Sequence, residues 1–224
     1  MDHLQRLRLI LITDRNVSCL PLLRAVGLAL GGDTDGDRGV TAVQLREKDL
    51  DSKDLFSLAR ELRETTSQHG VALIINDRVD IALAVGADGV HLGRHSMPLV
   101  TARNLIGPPA SGKPLVGFSA HNMKEALEAE EGGADYITLS PIFPTHSKKG
   151  DIPIGSGTIL RVKERVGIPV IALGGINRDT AAEALGNKAD GLAVISAIIA
   201  HHDLGARAQN LRKIVDSWFS QNGL

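Results

Sequence analysis

Short runs of aliphatic and β-branched residues recur along the chain, each followed by a stretch whose apolar residues fall three and four apart. The runs cover residues 8–14, 41–47, 71–77, 89–93, 115–119, 136–140, 170–174 and 191–196. Most are continuously apolar, as strands buried on both faces are. Between them, Ser52–Gln68 places Leu55, Leu58, Ala59 and Leu62 on one stripe. Met123–Glu131 is a second helix, closed by Gly132 and Gly133, with Asn122 placed to cap its first turn. A last helix is expected over 204–219, completing an outer ring with Trp218 packed against a neighbour.

Eight βα units in 224 residues fit a single (β/α)8 barrel, the TIM-barrel form of the α/β class, with residues 1–224 as one domain. The alternative is an open doubly wound sheet. No strand is followed by G-x-G-x-x-G, and polar residues sit at the carboxyl end of nearly every strand, which favours the barrel, where those ends share one rim. Residues 31–39 (GGDTDGDRG) read as a flexible loop between the first helix and the second strand. Its three aspartates lack the terminal Glu of a calcium-binding EF-hand loop. Neither a repeat beyond the βα period nor a domain boundary is legible.

Composition narrows the functional classes. With 43% hydrophobic and 23% charged residues the chain has ample material for a core, so overall disorder is excluded. The 25 Lys+Arg against 26 Asp+Glu leave a net charge of −1, which gives nucleic acid no basic footprint. One cysteine, Cys19, rules out an intrachain disulfide. The opening segment has only a short apolar run, and no stretch approaches the roughly 18 apolar residues of a membrane span. A cytoplasmic address with no membrane partner is therefore expected, and self-association into a homo-oligomer stays open.

The strand ends carry the candidate chemistry. In QLREK, Gln44, Arg46 and Lys48 alternate onto one face. Either an anion meets them at the barrel mouth, or Glu47 and nearby aspartates pair with them. Asn76 and Asp77 end the third strand, where a carboxylate suits Mg²⁺ bridged to phosphates, or a cap for the next helix. In PIFPTHSKKGD, Thr145, Ser147 and Lys148 make either a lid over an anionic group or part of an exposed basic loop, the second being the reading for Lys149. Gly174, Gly175, Ile195 and Ser196 follow strands seven and eight, the usual phosphate site of such barrels. Ser119 and His121 end the fifth strand, and a rim histidine can shuttle protons. His69, His95, His146, His201 and His202 are read as solvated, and His91 as a core residue with one ring nitrogen satisfied. The expected ligand is a phosphorylated small molecule.

These segments, with INDRVDIALAVGADGVHLG at 75–93, GGADYITLSPIFPTHSKK at 132–149, IPVIALGGIN at 168–177 and DGLAVIS at 190–196, resemble the thiamine phosphate synthase and thiazole tautomerase superfamily over nearly the whole chain. A synthase joins hydroxymethylpyrimidine pyrophosphate to thiazole phosphate, giving thiamine phosphate and pyrophosphate. The resemblance implies that Gln44 binds the pyrimidine, that Arg46, Lys48, Asn76 and Lys148 hold the pyrophosphate, and that Asp77 ligates Mg²⁺. Ser119 would touch the leaving group, while Thr145, Ser147, Gly175, Ile195 and Ser196 would surround the thiazole phosphate. One segment departs from the synthase pattern Gly-Gln-x-Asp-Met-Pro: residues 93–98 read GRHSMP. Arg94 replaces the Gln, and Ser96 stands where the second acidic Mg²⁺ ligand is usual, which lowers the expected metal affinity. A tautomerase would use His121 as acid and base. It has no chemical need for Gln44, Arg46, Lys48, Asn76 and Asp77 together, so the synthase is favoured, with the tautomerase or a non-catalytic phosphate-binding regulator as alternatives.

Overall fold

The structure is a computed structural model that describes residues 3–31, 38–108, 114–145 and 152–223. Eight parallel strands, β1 (Leu9–Ile12), β2 (Ala42–Leu45), β3 (Ala72–Asn76), β4 (Gly89–Leu92), β5 (Leu115–Ala120), β6 (Tyr136–Leu139), β7 (Val170–Leu173) and β8 (Gly191–Val194), close in chain order into a barrel. β8 returns to pair with β1, Leu9 opposite Leu192. Around them run α1 (His3–Arg6), α2 (Leu22–Leu30), α3 (Ser52–Gln68), α4 (Val79–Ala84), α5 (Leu99–Ile106), α6 (Met123–Glu131), α7 (Gly157–Lys163), α8 (Ala181–Gly186), α9 (Ser196–Ile199) and α10 (Leu204–Gln221). No described helix is long and apolar enough to cross a membrane.

Two of the helices, α3 and α6, carry both an apolar stripe and a side-chain cap. In α3, Leu55, Ala59, Leu62 and Thr66 are buried, and the Asp51 carboxylate accepts from the Asp54 amide at 2.9 Å. Asn122 Oδ1 accepts from the Glu125 amide at 2.9 Å, capping α6 as expected. α10 runs two residues past its expected end, and Trp218 lies at the edge of the core beside Gly186 of α8. Most strands are shorter than the apolar runs that encode them, because their last residues leave the ladder to build the rim. β5 is the exception, one residue longer than expected. Of the loop at 31–39, Gly31 and Arg38 form an antiparallel bridge, and residues 32–37 lie outside the described residues.

Strand alternation sorts the core into two compartments. Ile10, Ile12, Ala42, Ala72, Ile74, Tyr136, Ile171 and Ala193 fill the interior. Their neighbours Leu9, Leu11, Val43, Leu45, Leu73 and Ile75 pack outward under the helices. A repeat of two βα units emerges at the opposite end from the rim. Asp88, Asp135 and Asp190 immediately precede β4, β6 and β8, and each accepts from the first or second amide of the preceding strand, at 2.9, 2.7 and 2.7 Å. Arg63, Arg103 and Lys163 neutralise them. The Ala-Asp pairs at 87–88, 134–135 and 189–190 are the trace of this clasp in the sequence.

Candidate active site

Followed toward the carboxyl ends, the interior parity turns polar: Gln44, Asn76, His91, Ser119 and Thr138 continue the rows that begin with aliphatics. Above them opens a cavity of about 1300 Å³. It is lined by Gln44, Arg46, Lys48, Asn76, Asp77, Ser96, Ser119, His121, Thr145, Gly174, Gly175, Ile195 and Ser196, so the described candidate residues converge on one mouth. Ser147 and Lys148 lie outside the described residues.

The two cations of QLREK line the cavity, Arg46 half-buried and Lys48 exposed. Several other arginines are paired: Arg63 with Asp88 and Arg103 with Asp135 at 2.6 Å, Arg78 with Asp80 at 2.7 Å. The side chains of Arg46, half-buried, and Lys48 have no hydrogen-bond or ion-pair partner among the described residues. Pairing with Glu47, the alternative open from the sequence, does not occur. Glu47 is on the other parity, buried, and accepts from the Arg15 amide at 3.1 Å. Unpaired cations in a concave wall favour a bound anion, because the site offers them no internal counter-charge.

Next to them runs a chain of polar contacts. Gln44 Nε2 donates to Asn76 Oδ1 at 3.0 Å, Asn76 Nδ2 donates to Asp77 Oδ2 at 2.7 Å, and the Ser96 hydroxyl donates to Asp77 Oδ1. Ser96 Oγ also accepts from the Gly93 amide at 2.6 Å. Gln44 is buried, and its Oε1, like Glu47 Oε1, has no hydrogen-bond partner among the described residues. The capping role open to Asp77 is not realised. Asp77 has φ +62°, the left-handed region that aspartate tolerates better than most residues. Arg78 takes the cap position of α4, and the Asp77 carboxylate goes to Asn76 and Ser96 instead.

Beneath the mouth, His91 is buried and both ring nitrogens are engaged, which corrects the expectation of one. Nδ1 lies 3.1 Å from the Tyr136 hydroxyl, and Nε2 lies 3.0 Å from Ser119 Oγ and 3.2 Å from Thr138 Oγ1. Burial, reinforced by the nearby Arg46 charge, pulls its pKa down to about 3, so the ring is neutral. At the rim, His121 donates from its amide and engages through Nδ1 the same oxygen of Glu125, each at 2.9 Å. Burial raises the Glu125 pKa, but hydrogen bonds from His121 and Arg94 outweigh it and leave the carboxyl below its ordinary value. Arg94 pairs with Glu125 at 3.0 Å.

At the opposite side of the mouth, Gly174 and Gly175 have φ of +94° and +65°. A Cβ on Gly174 would stand 2.7 Å from Pro141 Cα, and one on Gly175 2.5 Å from the Pro144 carbonyl oxygen. The glycines thus let the 141–144 segment press against the end of β7, with the Phe143 amide bonded to the Gly174 carbonyl at 3.0 Å. Ser196 opens α9, where the Ile198 and Ile199 amides bond the Ile195 carbonyl at 3.2 and 3.1 Å, and Ser196 and Ala197 border the cavity. The sequence reading missed Asp14, Asn177, Arg178 and Arg207, and set aside His95 and His201, which line the same cavity. Asn177, closing GGIN two residues after Gly175, was detectable by position. Arg207 lies within the last helix, and only its fold neighbours reveal it.

A family model described as thiamine monophosphate synthase matches residues 9–198. A thiamine-phosphate synthase from Clostridium novyi (strain NT) is 43% identical over 209 residues, 92% of this chain and 98% of that protein. One from Chloroflexus aurantiacus is 44% identical over 215 residues, 95% of this chain and 94% of that protein. The solved thiamine phosphate pyrophosphorylase from Pyrococcus furiosus superposes with a TM-score of 0.85 at 37% identity, over 97% of this chain and 99% of that one. A 3-hexulose-6-phosphate synthase, 15% identical with a TM-score of 0.65, shares the fold alone.

Proposed function

The chain belongs to the thiamine monophosphate synthase family and is a transferase of thiamine biosynthesis, and on that premise we propose how its residues divide the work of joining hydroxymethylpyrimidine pyrophosphate to thiazole phosphate. The observation that carries the assignment is the pair of unpartnered cations, Arg46 and Lys48, beside the orphaned Gln44 Oε1. Gln44 Oε1 accepts from the amino group of the pyrimidine. Arg46, Lys48, Asn76 and Lys148 take the pyrophosphate. Thr145, Ser147, Gly174, Gly175, Ile195 and Ser196 take the phosphate of the thiazole, whose ring nitrogen is then held facing the pyrimidine methylene.

The carbon–oxygen bond breaks with both electrons going to the pyrophosphate, which leaves a cationic methylene on the pyrimidine. The thiazole nitrogen donates its lone pair to that carbon, forming the carbon–nitrogen bond of thiamine phosphate. Catalysis on this reading is electrostatic stabilisation of the leaving group by fixed cations and Ser119, plus proximity of the two rings.

A Mg²⁺ ion fits this site in a restricted form. Asp77 presents one carboxylate, its neighbour Ser96 is a neutral hydroxyl already bonded to it, and no group of three His, Cys, Asp or Glu converges among the described residues. Mg²⁺ often takes a single carboxylate together with substrate phosphates and waters. Asp77 therefore suits an ion that arrives with the pyrophosphate. When bound, the ion offsets negative charge developing on the leaving group.

His121 paired with Glu125 is the feature that a tautomerase would use, but such an enzyme makes no pyrophosphate and leaves Arg46 and Lys48 without a task. Incubation with both substrates and Mg²⁺ should yield thiamine phosphate. Binding of both phosphorylated compounds with no product at any Mg²⁺ concentration would refute the coupling reading and leave a binding protein.

A further inference from the structure

The coupling chemistry assigns nothing to His91, Tyr136 and Gly117, yet they meet inside the barrel directly below Ser119. In the sheet register Gly117 on β5 stands between His91 on β4 and Tyr136 on β6. Because Gly117 has no side chain, the two rings reach across it, with centroids 5.5 Å apart. A Cβ at position 117 would collide with both Tyr136 Cζ and His91 Nδ1.

We propose that His91, its tautomer set by Tyr136, is a positioning residue that fixes the Ser119 hydroxyl as a hydrogen-bond donor toward the departing pyrophosphate. The proposal rests on the role given to Ser119 above. A neutral imidazole has one donor nitrogen and one acceptor, and two arrangements are open to this one. If Nδ1 carried the proton, it would donate to the phenol oxygen, and the phenol proton would itself be left without an acceptor. Tyr136 is fully buried and His91 is its sole hydrogen-bond partner among the described residues. Buried donors without acceptors are rare. The phenol therefore donates to Nδ1, and Nε2 carries the ring proton.

That choice propagates upward. Nε2–H donates to Ser119 Oγ at 3.0 Å and is shared with Thr138 Oγ1 at 3.2 Å. The Thr138 hydroxyl, already accepting, donates in turn to Ser119 Oγ over a longer 3.5 Å. Ser119 Oγ thus receives two donors from below, and its own proton has no acceptor in the network. Half-buried on the cavity wall, it can direct that proton only toward what occupies the cavity. The neutrality of His91 preserves the arrangement at ordinary pH.

Two measurements decide the matter. Long-range nitrogen–proton NMR of the histidine rings in the unsubstituted protein should give the Nε2–H pattern for His91, and an Nδ1–H or doubly protonated ring at neutral pH overturns the proposal without any substitution. Calorimetry with inorganic pyrophosphate then tests the coupling. His91→Leu should weaken binding about tenfold, the size of one lost hydrogen bond to a charged group, and His91→Gln, which keeps an amide donor, should recover most of it. In a Ser119→Ala background His91→Leu should cost nothing more, whereas additive losses, or a protein that binds no pyrophosphate, overturn the positioning role. Pyrophosphate binding in a protein that forms no thiamine phosphate would count against the coupling reading alone.

Discussion

Acidification should expose the buried His91 as a measurable weakness of the fold. Its ordinary pKa of 6.5 falls to about 3 in the folded protein, chiefly through burial, with Arg46 adding to the effect. The unfolded chain therefore takes up a proton below the ordinary value that the folded chain refuses, so stability falls as pH falls. From about pH 7.5 to about pH 4.5 this single residue removes about 3 kcal/mol, as linkage of the two pKa values requires. That is a sizeable part of the roughly 5–15 kcal/mol that holds an ordinary domain together. Urea unfolding of the unsubstituted protein and of His91→Gln across this range provides the assay. Other titrating groups, Glu125 among them, act alike in both and cancel in the difference. The two stability curves should converge by about 3 kcal/mol relative to each other as pH falls. Curves that stay parallel would mean that His91 is not buried and neutral, and the hydrogen-bond polarity argued for Ser119 would lose its basis.

Arg46→Met should weaken inorganic pyrophosphate binding by about tenfold to a hundredfold, one charge-assisted interaction, while leaving thermal stability unchanged because the side chain has no internal partner to lose; calorimetry and a melting curve read the two effects. Ser96→Asp should tighten Mn²⁺ or Mg²⁺ binding in the absence of pyrophosphate at least several-fold, followed by Mn²⁺ electron paramagnetic resonance, and an unchanged affinity would remove Asp77 from the metal assignment. Gly117→Ala should destabilise by about 1–3 kcal/mol through overpacking against Tyr136 and His91, and a variant melting at the same temperature would contradict their meeting across β5.

The barrel was legible because each of its units is written locally. Continuous apolar runs such as VALII and PVIAL encode strands covered on both faces, and the stripe at Leu55, Ala59 and Leu62 encodes the helix that covers one of them. Rim residues were legible for a related reason: period two carries Gln44, Arg46 and Lys48 to one side, and closure carries them to the mouth. The roles of Asp77 and Glu47 were not legible. Both depend on a contact with a different βα unit, Ser96 after β4 for one and Arg15 after β1 for the other, and no local spacing records those neighbours. Arg207 was missed, and His201 was read as solvated, because both follow the last strand and reach the cavity only through the fold.

The polar layer under the mouth is the least visible part of the design in sequence and the most constrained in structure. Tyr136 and Thr138 sit in DYITLS, which reads as one more buried strand, and His91 sits in GVHLG, which reads the same way. Their hydrogen bonds link strands that are not neighbours, across a glycine whose only visible signal is a gap in an aliphatic run. Yet the requirement is strict: each buried polar atom must find a partner, and in a closed barrel the partner has to come from an inward position at the same height. The register supplies it, with Gly117 opposite both His91 and Tyr136, and Ser119 opposite Thr138. An aliphatic residue at 91 would restore an ordinary barrel floor and strand the Tyr136 hydroxyl. The layer therefore depends on all of its members together, and the Arg46 charge lies close enough to act on His91 within it.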